Sequence, residues 1–72
     1  MKEIFYNGPA VLALRLNKGW TQRQAAAAAG VGRSTQQRYE AGTEAVNLSI
    51  LQKIGKPYGV VFKIKADWRT EE

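Results

Sequence analysis

Arg33, Ser34, Gln37 and Arg38 are the residues of this chain whose types and spacing point to chemistry. On a helix turning about 100° per residue, these four share one arc with Ala41, while Thr35, Gln36 and Tyr39 lie opposite. The arc gathers two arginines, a glutamine and a serine, with no acid among them. A guanidinium fork matches O6 and N7 of guanine, and a glutamine amide matches the corresponding edge of adenine. The chemistry indicated is hydrogen bonding to base-pair edges. An ordinary solvated face competes with this reading, but such faces usually mix signs and use glutamate and lysine freely.

The elements that must position this arc run from Thr21 to Gly42. Thr21 and Gln24 stand three apart, the spacing of a capping box in which each side chain bonds the other's backbone N–H. Five alanines, Ala25 to Ala29, come next. Alanine has the best helix propensity, and its small side chain also lets two helices approach closely. Gly30-Val31-Gly32 makes the turn, with glycine tolerating positive φ and valine pinning the corner. A second helix is predicted over 33–41, closed by Gly42 and anchored inward by Tyr39. This order is that of a helix-turn-helix, whose second helix reads the major groove.

The flanks read more simply. Ile4, Phe5 and Tyr6 form a strand-like run, and Asn7-Gly8-Pro9 turns the chain into a first helix over 10–16. Gly19 sits where a left-handed cap residue belongs. After a helix carrying Leu48, Leu51 and Ile54, Gly55 and Pro57 should stop it early, since proline lacks a donor and restricts Lys56. Residues 60–65, Val-Val-Phe-Lys-Ile-Lys, are β-branched, aromatic and alternating, and read as a strand. That strand has two candidate partners, the 4–6 run of its own chain or its twin in a second subunit. Because alanine fills little space, bulk is expected from Trp20, Tyr39, Tyr58 and the C-terminal aromatics.

Composition excludes several classes. A chain of 72 residues makes one small domain, residues 1–72. Such a chain buries only about 60 % of its unfolded surface, so a dimer partner would help. It has no cysteine and no histidine. Neither a disulfide framework nor a thiolate metal site is available, and acid–base or nucleophilic work would fall on scattered carboxylates or a lysine. No enzyme, cofactor or metal is expected. No apolar run reaches membrane-spanning length and no signal peptide is evident, so the expectation is a cytoplasmic protein with no membrane partner. The net charge is +5. Between Pro9 and Ala41, Arg15, Lys18, Arg23, Arg33 and Arg38 face Glu40 alone, while Glu71 and Glu72 hide part of the excess at the far end. A domain so charged is drawn to polyanions, with double-stranded nucleic acid foremost.

Three stretches together carry a family likeness. Leu14-Arg15-Leu16-Asn17-Lys18-Gly19-Trp20-Thr21-Gln22, Gly30-Val31-Gly32-Arg33-Ser34-Thr35 and Arg38-Tyr39-Glu40-Ala41-Gly42 resemble the phage Cro and lambda-repressor family, also called the XRE family. Leu48, Leu51 and Ile54 match its fourth helix, and Tyr58-Gly59-Val60 resembles the Leu-Gly-Val that usually comes after it. The resemblance implies a mainly α, four- to five-helix lambda-repressor-like helix-turn-helix domain with a short C-terminal β-strand. It implies a sequence-specific DNA-binding transcriptional regulator, a repressor, dimeric on a palindromic operator. It further implies a bacterial or phage-encoded, nucleoid-associated protein. The C-terminal strand also resembles HipB-like antitoxins, which makes an antitoxin with a toxin partner the alternative, beside a pure protein-interaction module.

Carried over residue by residue, the resemblance implies base-edge contacts from Arg33, Ser34, Gln37 and Arg38. It implies phosphate contacts from Gln22, Arg23 and Thr35. Arg15 and Glu40 match a pair that joins the first and third helices. Three departures stand out, one of them being Gly55 and Pro57, which should cut the fourth helix short. Gln36 occupies a position usually apolar and β-branched, and Gly32 replaces a serine or threonine cap. The homodimer is expected to form at least partly through Val60 to Lys65, because a lone strand leaves backbone groups unpaired.

Overall fold

The two ends of the domain meet in a parallel two-stranded sheet. In this computed structural model, which describes residues 2–42 and 46–65, strand β1 (Lys2–Phe5) pairs with β2 (Val60–Lys63). The register sets Lys2 against Val60 and Ile4 against Phe62. Parallel neighbours need a long crossover, and here that crossover is the whole helical body. It comprises α1 (Gly8–Asn17), α2 (Gln22–Ala29), α3 (Arg33–Ala41) and α4 (Leu48–Gly55). A 3₁₀ turn at Lys56–Tyr58 then leads into β2.

Local signals set the helix limits. The Asn7 side chain accepts from the Ala10 N–H at 2.8 Å, which starts α1 two residues before the predicted boundary. The capping box at α2 is formed in both directions, with Gln24 N–H on Thr21 Oγ1 at 3.1 Å and Thr21 N–H on Gln24 Oε1 at 2.8 Å. α3 begins on Gly32 with no side-chain cap and ends on Gly42 in the left-handed region, φ 68°. Asn47 caps α4 through the Ile50 N–H at 3.1 Å. Gly55 and Pro57 end α4 as their chemistry requires, and the chain continues as a 3₁₀ turn instead of a fifth α-helix.

Of the two partners open to the C-terminal strand, the structure takes the one in the same chain. Tyr6 N–H reaches the Lys63 carbonyl at 2.7 Å. Pairing stops there because β1 ends at Phe5, so β2 covers 60–63 and leaves Ile64 and Lys65 beyond it. On the other side of β2, the Gln52 side chain donates to the Phe62 carbonyl at 3.1 Å. A Cβ on Gly55 would lie only 2.6 Å from the Val60 carbonyl oxygen, so α4 lies hard against that side.

The core lies between sheet and helices and holds Tyr6, Val11, Tyr39, Val46, Leu51, Ile54, Val60 and Phe62. The Tyr6 ring meets Phe62 edge-on at 5.9 Å and Tyr39 at 6.0 Å. Ala25 and Ala26 are buried, as close helix approach requires, while Ala27 and Ala28 are exposed. Two expected sources of bulk sit differently. Trp20 and Tyr58 are half-buried and pack on one another at 5.7 Å, at the margin of the core. Trp68, like Glu71 and Glu72, lies outside the described residues.

Candidate nucleic-acid interface

The capping box of α2 satisfies the Gln24 N–H but leaves the first-turn N–H groups of Gln22 and Arg23 with no partner inside the helix. These donors, with the partial positive charge of a helix start, adjoin an open cleft lined by Arg15, Thr21, Gln22, Arg23 and Arg33. An anion is the complement of such a cleft. Arg23 and Arg33 are exposed there, and Gln22 is half-buried.

From the cleft, α3 carries Arg33, Ser34, Gln37 and Arg38 outward, all exposed, whereas Gln36 and Tyr39 are buried beneath them. Thr35, read as a phosphate contact, is half-buried on the flank of the helix. Tyr39 fixes this helix from below. Its carbonyl accepts from the Tyr6 hydroxyl at 2.6 Å, and its own hydroxyl accepts from the Asn47 N–H at 2.9 Å. Burial, with Tyr39 close by, pushes the Tyr6 phenol up to about 12, so it remains a donor at any physiological pH.

Glu40 ties α3 to the rest. Its Oε2 accepts from Arg15 Nε at 2.6 Å and from Gln36 Nε2 at 2.9 Å. Its Oε1 accepts from Arg15 Nη2 and from Gln22 Nε2, each at 3.2 Å. The remaining Arg15 nitrogen, Nη1, donates to the Trp20 carbonyl at 2.8 Å, so one guanidinium joins α1, the α1–α2 connection and α3. The paired side chains are 12 % and 6 % exposed for Arg15 and Glu40, a part-buried pair much better shielded than a surface one. Burial alone would raise the Glu40 carboxyl, but hydrogen bonds from Arg15, Gln36 and Gln22, with the Arg15 charge, outweigh it and hold the group below its ordinary value. Burial, and after it the Glu40 charge, raises the nearby Tyr58 phenol.

The structure therefore joins Arg15 to Glu40 and sets Gln22, Arg23 and Arg33 around one cleft. The Gln22 amide, read from the sequence as a phosphate contact, is donated to Glu40. Two parts of the network escaped sequence reading: Gln36 as a donor to Glu40, and Trp20 as an acceptor. Gln36 had a signal, since it precedes Glu40 by four residues, a spacing that makes helical neighbours. The Trp20 carbonyl had none, because backbone groups carry no sequence mark.

Among the described residues no group of acids is placed to hold a metal ion, and no helix is long and apolar enough to cross a membrane. A family model described as Helix-turn-helix matches residues 11–61. No curated protein and no solved structure matches the chain. The matched span runs from α1 into β2 and takes in the capped α2, the glycine turn and the exposed Arg33, Ser34, Gln37 and Arg38 of α3. The chain thus belongs to the XRE/lambda-repressor-like helix-turn-helix family of DNA-binding transcriptional regulators.

Proposed function

We propose that this protein is a sequence-specific repressor of double-stranded DNA, with α3 seated in the major groove. The observation that carries this is the acid-free row Arg33, Ser34, Gln37 and Arg38, exposed on a helix whose opposite side is locked by Tyr39 and Glu40. In that pose the arginines reach guanine edges, Gln37 and Ser34 read beside them, and the cleft at the start of α2 takes a backbone phosphate. Duplexes selected from a random pool, assayed by gel shift at two salt concentrations, test the proposal. Arg33→Ala and Arg38→Ala are each expected to cost about 1–3 kcal/mol on the selected site and to relax the preference at one base pair. Equal losses on selected and random duplexes would count against base readout.

A palindromic operator requires a second copy. Leu12 and Leu16 lie one turn apart on α1 and are 36 % and 60 % exposed, apolar surface that a partner would cover. β2, the expected dimer strand, pairs with β1 along one edge, and on the other the Gln52 side chain meets the Phe62 carbonyl, so the leucines of α1 add to residues 60–65 as contact surface for a second copy. Phe62 is 2 % exposed, and replacing it would test folding instead of assembly. Leu16→Lys spares the core and is expected to weaken dimerisation and operator binding together. Sedimentation of the unaltered protein as a monomer at operator-binding concentrations would overturn the dimer. An antitoxin would keep the same DNA face and offer that leucine surface to a toxin.

A further inference from the structure

Gln36 is 1 % exposed, yet among the described residues its Oε1 has no hydrogen-bond partner. An orphaned buried acceptor loses its hydration with nothing in exchange, so an apolar residue of similar size would serve packing better. What the amide supplies in return is its Nε2 bond to Glu40 Oε2, at 2.9 Å. The two oxygens of Glu40 are not equally held. Oε2 takes the short Arg15 Nε contact, at 2.6 Å, together with Gln36. Oε1 takes two longer contacts at 3.2 Å, one from Arg15 and one from Gln22, and Gln22 lines the anion cleft.

We infer that Gln36 is a positioning residue for DNA binding: it secures Glu40 from the buried side, so that Gln22 can leave Glu40 for a phosphate oxygen. The inference rests on the DNA-binding function proposed for α3. When a phosphate enters the cleft, the Gln22 amide turns from Oε1 to the phosphate, and Glu40 keeps Arg15 and Gln36. The Arg15–Glu40 pair then stays aligned, and α3 does not shift as the backbone contact forms. Without Gln36, Gln22 becomes the only neutral donor on the carboxylate among the described residues, and its release costs more.

The test uses the full chain, a short mixed-sequence duplex at low salt, and the near-isosteric Gln36→Met. The variant is expected to melt no lower than the unaltered protein, because the orphaned acceptor is gone. It is nevertheless expected to bind the duplex about threefold to tenfold more weakly, the worth of one hydrogen bond. Gln22→Ala is expected to weaken the unaltered protein by a similar factor and the Gln36→Met background by less than about twofold. Side-chain amide NMR of the unaltered protein adds a readout that needs no variant: on adding duplex, the Gln22 signals shift while those of Gln36 stay in place and exchange slowly. Equal duplex binding by Gln36→Met with an undiminished Gln22→Ala penalty would overturn the inference alone, as would Gln36 signals moving as far as those of Gln22. No duplex binding by the unaltered protein would overturn both the inference and the DNA reading.

Discussion

Glu40→Leu is expected to cost about 3–5 kcal/mol of folding stability, far above the roughly 0–1 kcal/mol of a surface pair. The change strands the Arg15 guanidinium, whose side chain is 12 % exposed, and also removes the acceptor of Gln22 and Gln36. Adding Arg15→Met is expected to recover much of the loss, since no buried charge is then left unpaired. Recovery remains incomplete while Gln36 keeps an amide with no partner, and Gln36→Leu is expected to supply more of it. Chemical denaturation of the two single variants and the double variant decides this. Additive losses would mean that Arg15 and Glu40 contribute independently, against the bidentate geometry.

Acid adds a second arm to that experiment. The folded state holds the Glu40 carboxyl below its ordinary value. A group shifted this way contributes stability that is complete above its unfolded pKa and is lost as pH falls through the folded one. The stability gap between the unaltered protein and Glu40→Gln is therefore expected to be constant near neutrality. It should close as the pH drops below the ordinary glutamate range. A gap that widens in acid would contradict the assigned network.

Gly8→Ala is expected to destabilise by about 3 kcal/mol or more, at the upper end of overpacking effects. The first residue of α1 presses on the last turn of α3. A Cβ there would run into the Glu40 carbonyl oxygen and stand 3.0 Å from the Ala41 carbonyl carbon. Both obstacles are backbone, so no side chain can swing aside, and the two helices must separate. Separation would stretch the Arg15–Glu40 contact and the bond from the Tyr6 hydroxyl to the Tyr39 carbonyl. Operator affinity is expected to fall with stability, because both contacts aim α3. A melting temperature unchanged by Gly8→Ala would show that this junction yields more easily than its geometry implies.

The sequence alone determined the helices of the DNA-binding unit and the outward face of α3. Thr21 with Gln24, Gly30 and Gly42 act over one helical turn, and such short-range signals carry their geometry in the order of the residues. The periodicity of 3.6 residues then separates Arg33, Ser34, Gln37 and Arg38 from Tyr39 without reference to anything distant. Tertiary structure alone decided what depends on contacts between remote segments. β2 met β1 in parallel from the other end of the chain, and the Gln52 side chain covered the Phe62 carbonyl on its far side. Gly8 proved to be a packing requirement, whereas in sequence it read only as part of a turn. Gln22 and Gln36, one read as a phosphate contact and the other as a polar departure at a usually apolar position, converged on a single carboxylate. A side chain's type states what it can bond, but its partner is set by where the folded backbone brings the opposing atom, and that position is spread over the whole chain.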